Sequence, residues 1–160
     1  MKGGMSVSGV GHVESMLRNI ARRVPDVARG QMKRSAARVV KLAQIMVPED
    51  EGHLKDSIRI EKSYGYRGRL EISIIAGKQM VTRHNGKTVS LDQYALLVHE
   101  AYETAVAPNG PGEGTKAKMA AHPTIKIGSG FLFRALESEK ESFNRVMAEV
   151  IDKVITEEGG

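Results

Sequence analysis

Apolar residues recur at three- and four-residue intervals over the first quarter of the chain, which predicts helices. The first stripe begins after His12 and consists of Val13, Leu17, Ile20 and Val24. Pro25 can begin a helix but is not expected inside one, because it lacks an N–H group and its ring clashes with the preceding turn. A second helix is therefore predicted from Asp26 to Met46, and Pro48 is expected to end it.

Alternation of apolar and polar residues then predicts short antiparallel strands. Ser57–Glu61 alternates in this way, and so does Leu70–Ile74. The dipeptide Asn85–Gly86 favours a hairpin within Val81–Val89, because both of its positions tolerate positive φ. The apolar run Tyr94–Val98 is short enough to fit either a strand or a helix.

The last third of the chain combines an aperiodic segment with a strongly periodic one. Residues 101–130 contain many glycines and prolines and predict a long loop, which we expect to become ordered on docking to a partner. Phe131–Glu158 predicts a helix with a broad apolar face, and residues 1–11, rich in Gly and Ser, are expected to be flexible. The fold class predicted for residues 1–160 is one α+β domain, with a small antiparallel sheet packed against N-terminal and C-terminal helices.

Charge is distributed unevenly along these helices. Between Arg18 and Lys41 there are eight arginines and lysines and a single acid, whereas acids predominate from Glu137 to Glu158. Three interpretations stay open: a solvated face, an interface in which the basic helix of one subunit meets the acidic helix of the next, and a face that neutralises DNA phosphates. The candidate interface residues are Arg18, Arg22, Arg29, Lys33, Glu137, Glu141 and Glu149.

The sequence offers little for catalysis or metal binding. The absence of cysteine excludes thiol catalysis, disulfides and cysteine-ligated zinc. The acids of Glu49–His53 are consecutive, which does not suit a calcium loop, and we interpret them as solvated groups at a turn. In Gly110–Lys116 the terminal order is Gly-Thr-Lys, with neither a strand before it nor a helix directly after it, so it is not a phosphate loop. No catalytic residue, cofactor, metal site or membrane span is predicted.

Three segments, taken in order, resemble the phage neck and tail-completion proteins, which are small head–tail joining proteins of long-tailed phages. These segments are Val47–Ile58, Tyr94–Glu100 and Gly130–Glu137. Members of the family often have a proline before the Phe-Leu pair that opens the last helix, whereas this chain has Gly130 there. The neck, tail-completion and tail-terminator subtypes all remain open.

The resemblance implies a structural, non-enzymatic virion protein that is assembled in the host cytoplasm. It would form a homo-oligomeric ring of six- or twelvefold symmetry between the connector and the tail tube or tail terminator, with DNA in its lumen. The residues expected to define the fold at the first segment are Pro48, Gly52, Leu54, Ser57 and Ile58. The residues expected to dock neighbouring proteins are Tyr94, His99, Glu100, Phe131 and Leu132. The alternative to a ring is a sequence-independent DNA-binding module that uses the basic helix face.

Overall fold

The computed structural model describes residues 10–49, 52–64, 70–77, 81–84 and 87–159. Its elements, in chain order, are α1 Val10–Met46, α2 His53–Ser57, β1 Arg59–Tyr64, β2 Leu70–Ile75, β3 Val81–His84, β4 Lys87–Ser90, α3 Leu91–Ala101, a π-helical turn Tyr102–Val106, α4 Glu113–Ala121 and α5 Phe131–Gly159. Antiparallel strands between long N-terminal and C-terminal helices confirm the predicted α+β class.

The two long helices, α1 and α5, pack against each other in antiparallel directions. Arg38, near the end of α1, meets Glu139, near the start of α5. At the opposite end of the pair, a Cβ atom added to Gly159 would lie 3.8 Å from the Met16 sulfur. The contact therefore extends over most of the length of both helices.

The prediction of two N-terminal helices is wrong, because α1 continues through Pro25. A proline inside a helix removes one backbone hydrogen bond and costs about 3 kcal/mol. Here Pro25 and Ala21, whose carbonyl group loses its donor, both lie on the exposed side of the helix, where water can hydrate that carbonyl. Packing on α5 extends to both sides of Pro25 and holds the two halves of α1 in line.

The strands form two separate hairpins. β1 pairs with β2 from Arg59↔Ile75 to Tyr64↔Leu70, and β3 pairs with β4 from Val81↔Ser90 to His84↔Lys87. The hairpin pairing predicted around Asn85–Gly86 is confirmed, although the dipeptide itself lies outside the described residues. The predicted first strand begins later than expected, because α2 occupies the residues up to Ser57.

Two further helical segments lie within the long connection that precedes α5. The ambiguous run Tyr94–Val98 belongs to the helix α3. The connection after it contains the π-helical turn and α4, which the sequence pattern does not predict. α4 has few large apolar residues, so its sequence shows no helical stripe. It begins at Glu113, inside the glycine-rich stretch Gly110–Lys116, where we expected a loop with no helix directly after it.

The hydrophobic core lies at one end of the molecule, where the last turns of α1 meet α2, α3 and the start of α5. Its buried members are Val39, Ala43, Met46, Val47, Leu54, Ile58, Leu91, Ala95, Val98, Tyr102, Phe131 and Ala135. Segments far apart in sequence thus share one core, and the rest of the α1–α5 pair extends away from it.

Candidate interaction surface

The segment Val47–Ile58, which we call the corner segment, connects α1 to the first hairpin through buried apolar contacts. Gly52 has φ of 83° and precedes α2, a conformation that disfavours residues with a Cβ atom. Leu54 and Ile58 are 5% and 2% exposed and belong to the core. These placements agree with a structural role for the corner segment, and Pro48 is also buried.

Ser57 fastens the corner segment to the end of β2. Its hydroxyl group donates a hydrogen bond to the Leu54 carbonyl at 2.7 Å and accepts one from the Gly77 N–H at 2.8 Å. Gly77 has φ of 87°, and a Cβ atom there would lie 2.9 Å from both the Cα of Asp92 and the carbonyl oxygen of Leu91. The backbone of β2 and the start of α3 therefore approach each other at a position that only glycine fits.

Lys118 of α4 binds the C-terminal end of α1. Its Nζ donates hydrogen bonds to the carbonyl groups of Gln44 and Val47, each at 2.7 Å, and lies 3.3 Å from the Glu49 carboxylate. A cation suits this position because the carbonyl groups at a helix C-terminus lack intrahelical donors and carry partial negative charge. Burial lowers the pKa of Lys118 from its ordinary value, and the bond to Glu49 opposes this effect.

Glu49 has a structural role, so the interpretation of the acids as solvated groups is wrong for this residue. Burial works to raise the pKa of Glu49, but Lys118 and Lys55 outweigh it, so the pKa lies below its ordinary value. The Thr115 hydroxyl group accepts a hydrogen bond from the Glu49 N–H at 3.0 Å and lies 3.2 Å from the Glu49 carbonyl oxygen, to which it donates. Asp50 and Glu51 lie outside the described residues.

The four candidate basic residues lie along one stripe of α1, which we call the basic stripe; Arg18, Arg22 and Lys33 are exposed and Arg29 is half-buried. Arg18, Arg22, Arg29 and Lys33 are separated by four, seven and four residues, spacings that return to the same helix face. Arg18 pairs with Glu14 at 2.7 Å and Arg29 with Asp26 at 3.1 Å, both on the same helix. The stripe extends over about 22 Å, from the helical rise of 1.5 Å per residue.

Other members of the basic and acidic segments meet inside the chain. Arg23 donates to Glu157 at 2.8 Å and also pairs with Glu158, and Arg38 donates through Nε to Glu139 at 2.8 Å. Glu139 is only 6% exposed and also accepts the Ser35 hydroxyl group at 2.9 Å. The bond to Arg38 is the main reason that the pKa of Glu139 lies below its ordinary value.

The candidate acidic residues take no part in these pairs between helices. Glu137, Glu141 and Glu149 are exposed on α5, and Glu137 lies 3.6 Å from Lys140 of the same helix. The oppositely charged residues of α1 and α5 thus fall into two groups. Arg23, Arg38 and their partners join the two helices within the chain, whereas the candidate acidic residues lie at the surface. Sequence reasoning did not find the pairs of Arg23 and Arg38, because residues more than one hundred positions apart carry no pairing signal.

The candidate docking residues come together where α3 meets the start of α5. The His99 ring packs edge-on against the Phe131 ring, with a centroid distance of 5.3 Å, and the His99 carbonyl group accepts the Gly130 N–H at 2.7 Å. Phe131 is fully buried, Tyr94 and Leu132 are partly buried against the core, and Glu100 is exposed. Of these five side chains, that of Glu100 is the most exposed to solvent.

An open apolar groove lies beside these residues, between β2 and the first turns of α5. Three adjoining cavities of about 370, 380 and 310 Å³ form it. Residues shared between adjacent cavities show that they are continuous: Val39, Ile72, Ile74, His99, Leu132 and Leu136. Phe133 and Leu136 are 62% and 54% exposed, so α5 presents large apolar side chains to solvent along the groove.

The described residues show no site suited to a metal. Among residues 10–49, 52–64, 70–77, 81–84 and 87–159, no three His, Asp or Glu side chains are placed to hold a metal ion. Over the same residues, no helix combines the length and apolar character that crossing a bilayer requires. The candidate interaction features on the described surface are the basic stripe, the acidic residues of α5 and the apolar groove.

Residues 13–99 match the HK97-gp10-like family, which is described as "Bacteriophage HK97-gp10, putative tail-component". The match extends from the first turns of α1 to His99 in α3 and includes the corner segment and both hairpins. No curated protein and no solved structure matches the chain significantly. More than half of the chain thus shares the pattern of one family of phage proteins.

Proposed function

The chain belongs to the HK97-gp10-like family of phage tail components, and we propose that it is a structural virion protein that joins head to tail. In this proposal, copies form a ring of six or twelve subunits between the connector and the tail tube or tail terminator. Assembly takes place in the host cytoplasm, and the protein acts by docking, without catalysis or a cofactor.

The family match over residues 13–99 is the observation that carries the proposal. It includes Val47–Ile58 and all but the last residue of Tyr94–Glu100, two of the three segments that resemble neck and tail-completion proteins, while Gly130–Glu137 lies outside it. The structure supports a docking role through its exposed groove and charged faces.

The two charged surfaces suit contacts between different faces of neighbouring copies. A closed ring requires heterologous contacts, in which one patch binds a different patch on the next subunit. The basic stripe on α1 and the exposed Glu137, Glu141 and Glu149 on α5 are such a pair. Opposite charges of this kind mainly set the register and rate of association, and they add less to the affinity.

Removing the protein from the phage tests this role. Without it, we expect the host to accumulate DNA-filled heads and complete tails that remain separate, and a copy supplied in trans restores joined particles. The tail-terminator alternative predicts tails of irregular length instead, since nothing would stop growth of the tube. Normal infectious particles without the protein would contradict both assignments.

The linear arrangement of the basic stripe also supports a second candidate function, sequence-independent DNA binding. We expect a DNA-binding face to lose affinity steeply as salt increases, because phosphate contacts release counterions. Replacing Arg22, Arg29 and Lys33 together by Glu should abolish binding to duplex DNA and leave the circular dichroism spectrum unchanged. If the unaltered chain has no measurable affinity for duplex DNA at low salt, this candidate is excluded.

A further inference from the structure

Both β-hairpins of the described chain have fewer strands than a self-supporting sheet needs. β1–β2 and β3–β4 are separate two-stranded units, whereas stable antiparallel sheets usually have three or more strands. Within the part of the chain that the structure describes, the second edge of β2 has no strand beside it. An unpaired edge presents backbone N–H and C=O groups that can pair with another chain.

Of the two strands in the first hairpin, β2 is the one that borders the apolar groove. β2 contributes Ile72 and Ile74 to the groove, and none of the described residues of β1 lines it. A strand added beside β2 would therefore lie over Phe133 and Leu136 of α5. It would cover two large side chains that are more than half exposed, which is the arrangement expected of an interaction site.

The charge of the groove indicates which strand could bind beside β2. Of the charged side chains that line the groove, Asp92, Glu137 and Glu139 are acidic and Lys140 is basic, and Glu139 is paired with Arg38. The sequence Val81–Ser90, which forms β3–β4, contains Arg83 and Lys87 and no carboxylate. The second hairpin of the chain is thus opposite in charge to the border of the groove.

We propose that the groove receives the β3–β4 hairpin of a second copy of this chain. An edge strand of that hairpin pairs with β2 and produces a four-stranded sheet across the interface. The inference rests on the proposed function, which places copies side by side. The contact joins two different surfaces, so in a pair one copy keeps a free groove and the other keeps a free hairpin, and the same contact can repeat around a ring.

Disulfide cross-linking tests this contact directly, because the chain contains no cysteine. Two differently tagged variants, Leu136→Cys and Thr88→Cys, are produced together in the host that assembles the particles. Both positions are exposed, so neither change disturbs the core. Under mild oxidation we expect a mixed dimer on non-reducing gels. The matched control pairs Thr88→Cys with Ile155→Cys, which is 47% exposed near the far end of α5, and should yield no mixed dimer.

Two substitutions test the groove and its charge independently. Phe133→Asp should lower the fraction of assembled chain about tenfold, as for a residue at the centre of an interface, whereas Ile155→Asp should leave it unchanged. Glu137→Lys should weaken assembly, and Lys87→Glu in the same chain should restore it. Circular dichroism spectra that match the original chain show that the variants fold.

The outcomes separate this inference from the proposed function. If the chain is present in particles but neither the mixed dimer nor the effect of Phe133→Asp is seen, the groove contact is overturned and the virion role stands. If Phe133→Asp blocks joining without any mixed dimer, the occupant is a strand of another virion protein and a second copy is excluded. If the unaltered chain is absent from particles, the proposed function itself fails.

Discussion

Single residues with fixed surroundings hold the distant segments of this chain together. Gly77 lets the end of β2 approach the start of α3, Ser57 joins that end to the corner segment, and Glu139 joins the two long helices. Each position allows little freedom, because it is buried or has an unusual backbone angle. Substitutions at these positions should therefore have larger effects than substitutions on exposed faces.

Gly77→Ala should reduce the free energy of unfolding by about 3 kcal/mol, because the added Cβ combines an unfavourable positive φ with overlap against backbone atoms. Gly30→Ala is the matched control. Its Cβ would meet only the flexible end of Arg34 at 3.5 Å, so in the middle of α1 the change should add about 0.5 to 1 kcal/mol. Urea denaturation measures both values, and equal effects of the two changes would contradict the close approach at Gly77.

The pair between Arg38 and Glu139 should make stability depend on acid pH. The pKa of Glu139 is lower in the folded chain than its ordinary value of 4.5, chiefly through Arg38. A carboxyl group of this kind contributes stability that is present above its unfolded pKa and is lost as pH falls through its folded pKa. We expect the free energy of unfolding to decrease as the pH is lowered below 4.5. In the Glu139→Gln variant this decrease should be smaller, because the titrating carboxyl group is absent.

Arg38→Met offers a second measurement on the same pair at neutral pH. Among the described residues, this leaves the buried Glu139 carboxylate with the Ser35 hydroxyl group as its one hydrogen-bond partner, which should cost about 2 kcal/mol after allowance for the partial exposure of Arg38. Arg22→Met, at an exposed position of the same helix, should change stability by less than about 0.5 kcal/mol. Similar losses for the two variants would show that Glu139 does not depend on Arg38.

Among the helices, α1 and α4 differ most from what their sequences predict. α1 is continuous although it contains a strong helix breaker, and α4 is a helix although it lacks an apolar stripe. In both cases contacts with other elements compensate for the local preference. α5 supports α1 on both sides of Pro25, and Thr115 and Lys118 fasten α4 to the end of α1.

Pro25→Ala should increase the free energy of unfolding by about 2 kcal/mol, since it removes most of the penalty of a proline inside a helix. Ala37→Gly, at an exposed position of the same helix, should lower it by about 1 kcal/mol and shows that the assay resolves helix propensity. If Pro25→Ala has no effect or destabilises the chain, the helix breaks at this residue as the sequence pattern predicts.

Lys118→Met should release α4 from the end of α1. The change removes two hydrogen bonds to carbonyl groups and the partner of Glu49, so we expect a loss of about 2 kcal/mol and faster amide hydrogen exchange across α4. Lys116→Met is the control, because Lys116 is exposed and bonds only to Glu113 on the same helix among the described contacts. Unchanged exchange in the Lys118 variant would show that Thr115 alone fixes α4.

The molecule as a whole is a pair of long helices with a compact core at one end. That arrangement leaves three candidate binding features at the surface: the basic stripe, the acids of α5 and the apolar groove. In the proposed assembly the first two would act through charge and the third through burial of apolar area. Their contributions to assembly should therefore differ in salt dependence, because salt screens exposed charges but does not weaken apolar contacts.

Assembly through the groove should persist in 1 M sodium chloride, where the screening length is about 3 Å. Assembly through the basic stripe and the α5 acids alone should be lost at the same salt concentration. Analytical ultracentrifugation of the assembled species at low and high salt distinguishes the two cases. Dissociation at high salt would contradict the groove as the main contact and favour the charged faces.

The α+β class, the end of the first long helix before Pro48, the hairpin pairing and the extent of α5 could all be predicted from local patterns. These features follow from the periodicity of apolar residues, from proline geometry and from turn residues, which act over a few neighbouring positions. The continuity of α1, the position of α4, the partners of Glu49 and Glu139 and the groove could not be predicted. They depend on which distant segments meet, and energies of contact between such segments leave no regular spacing in the chain.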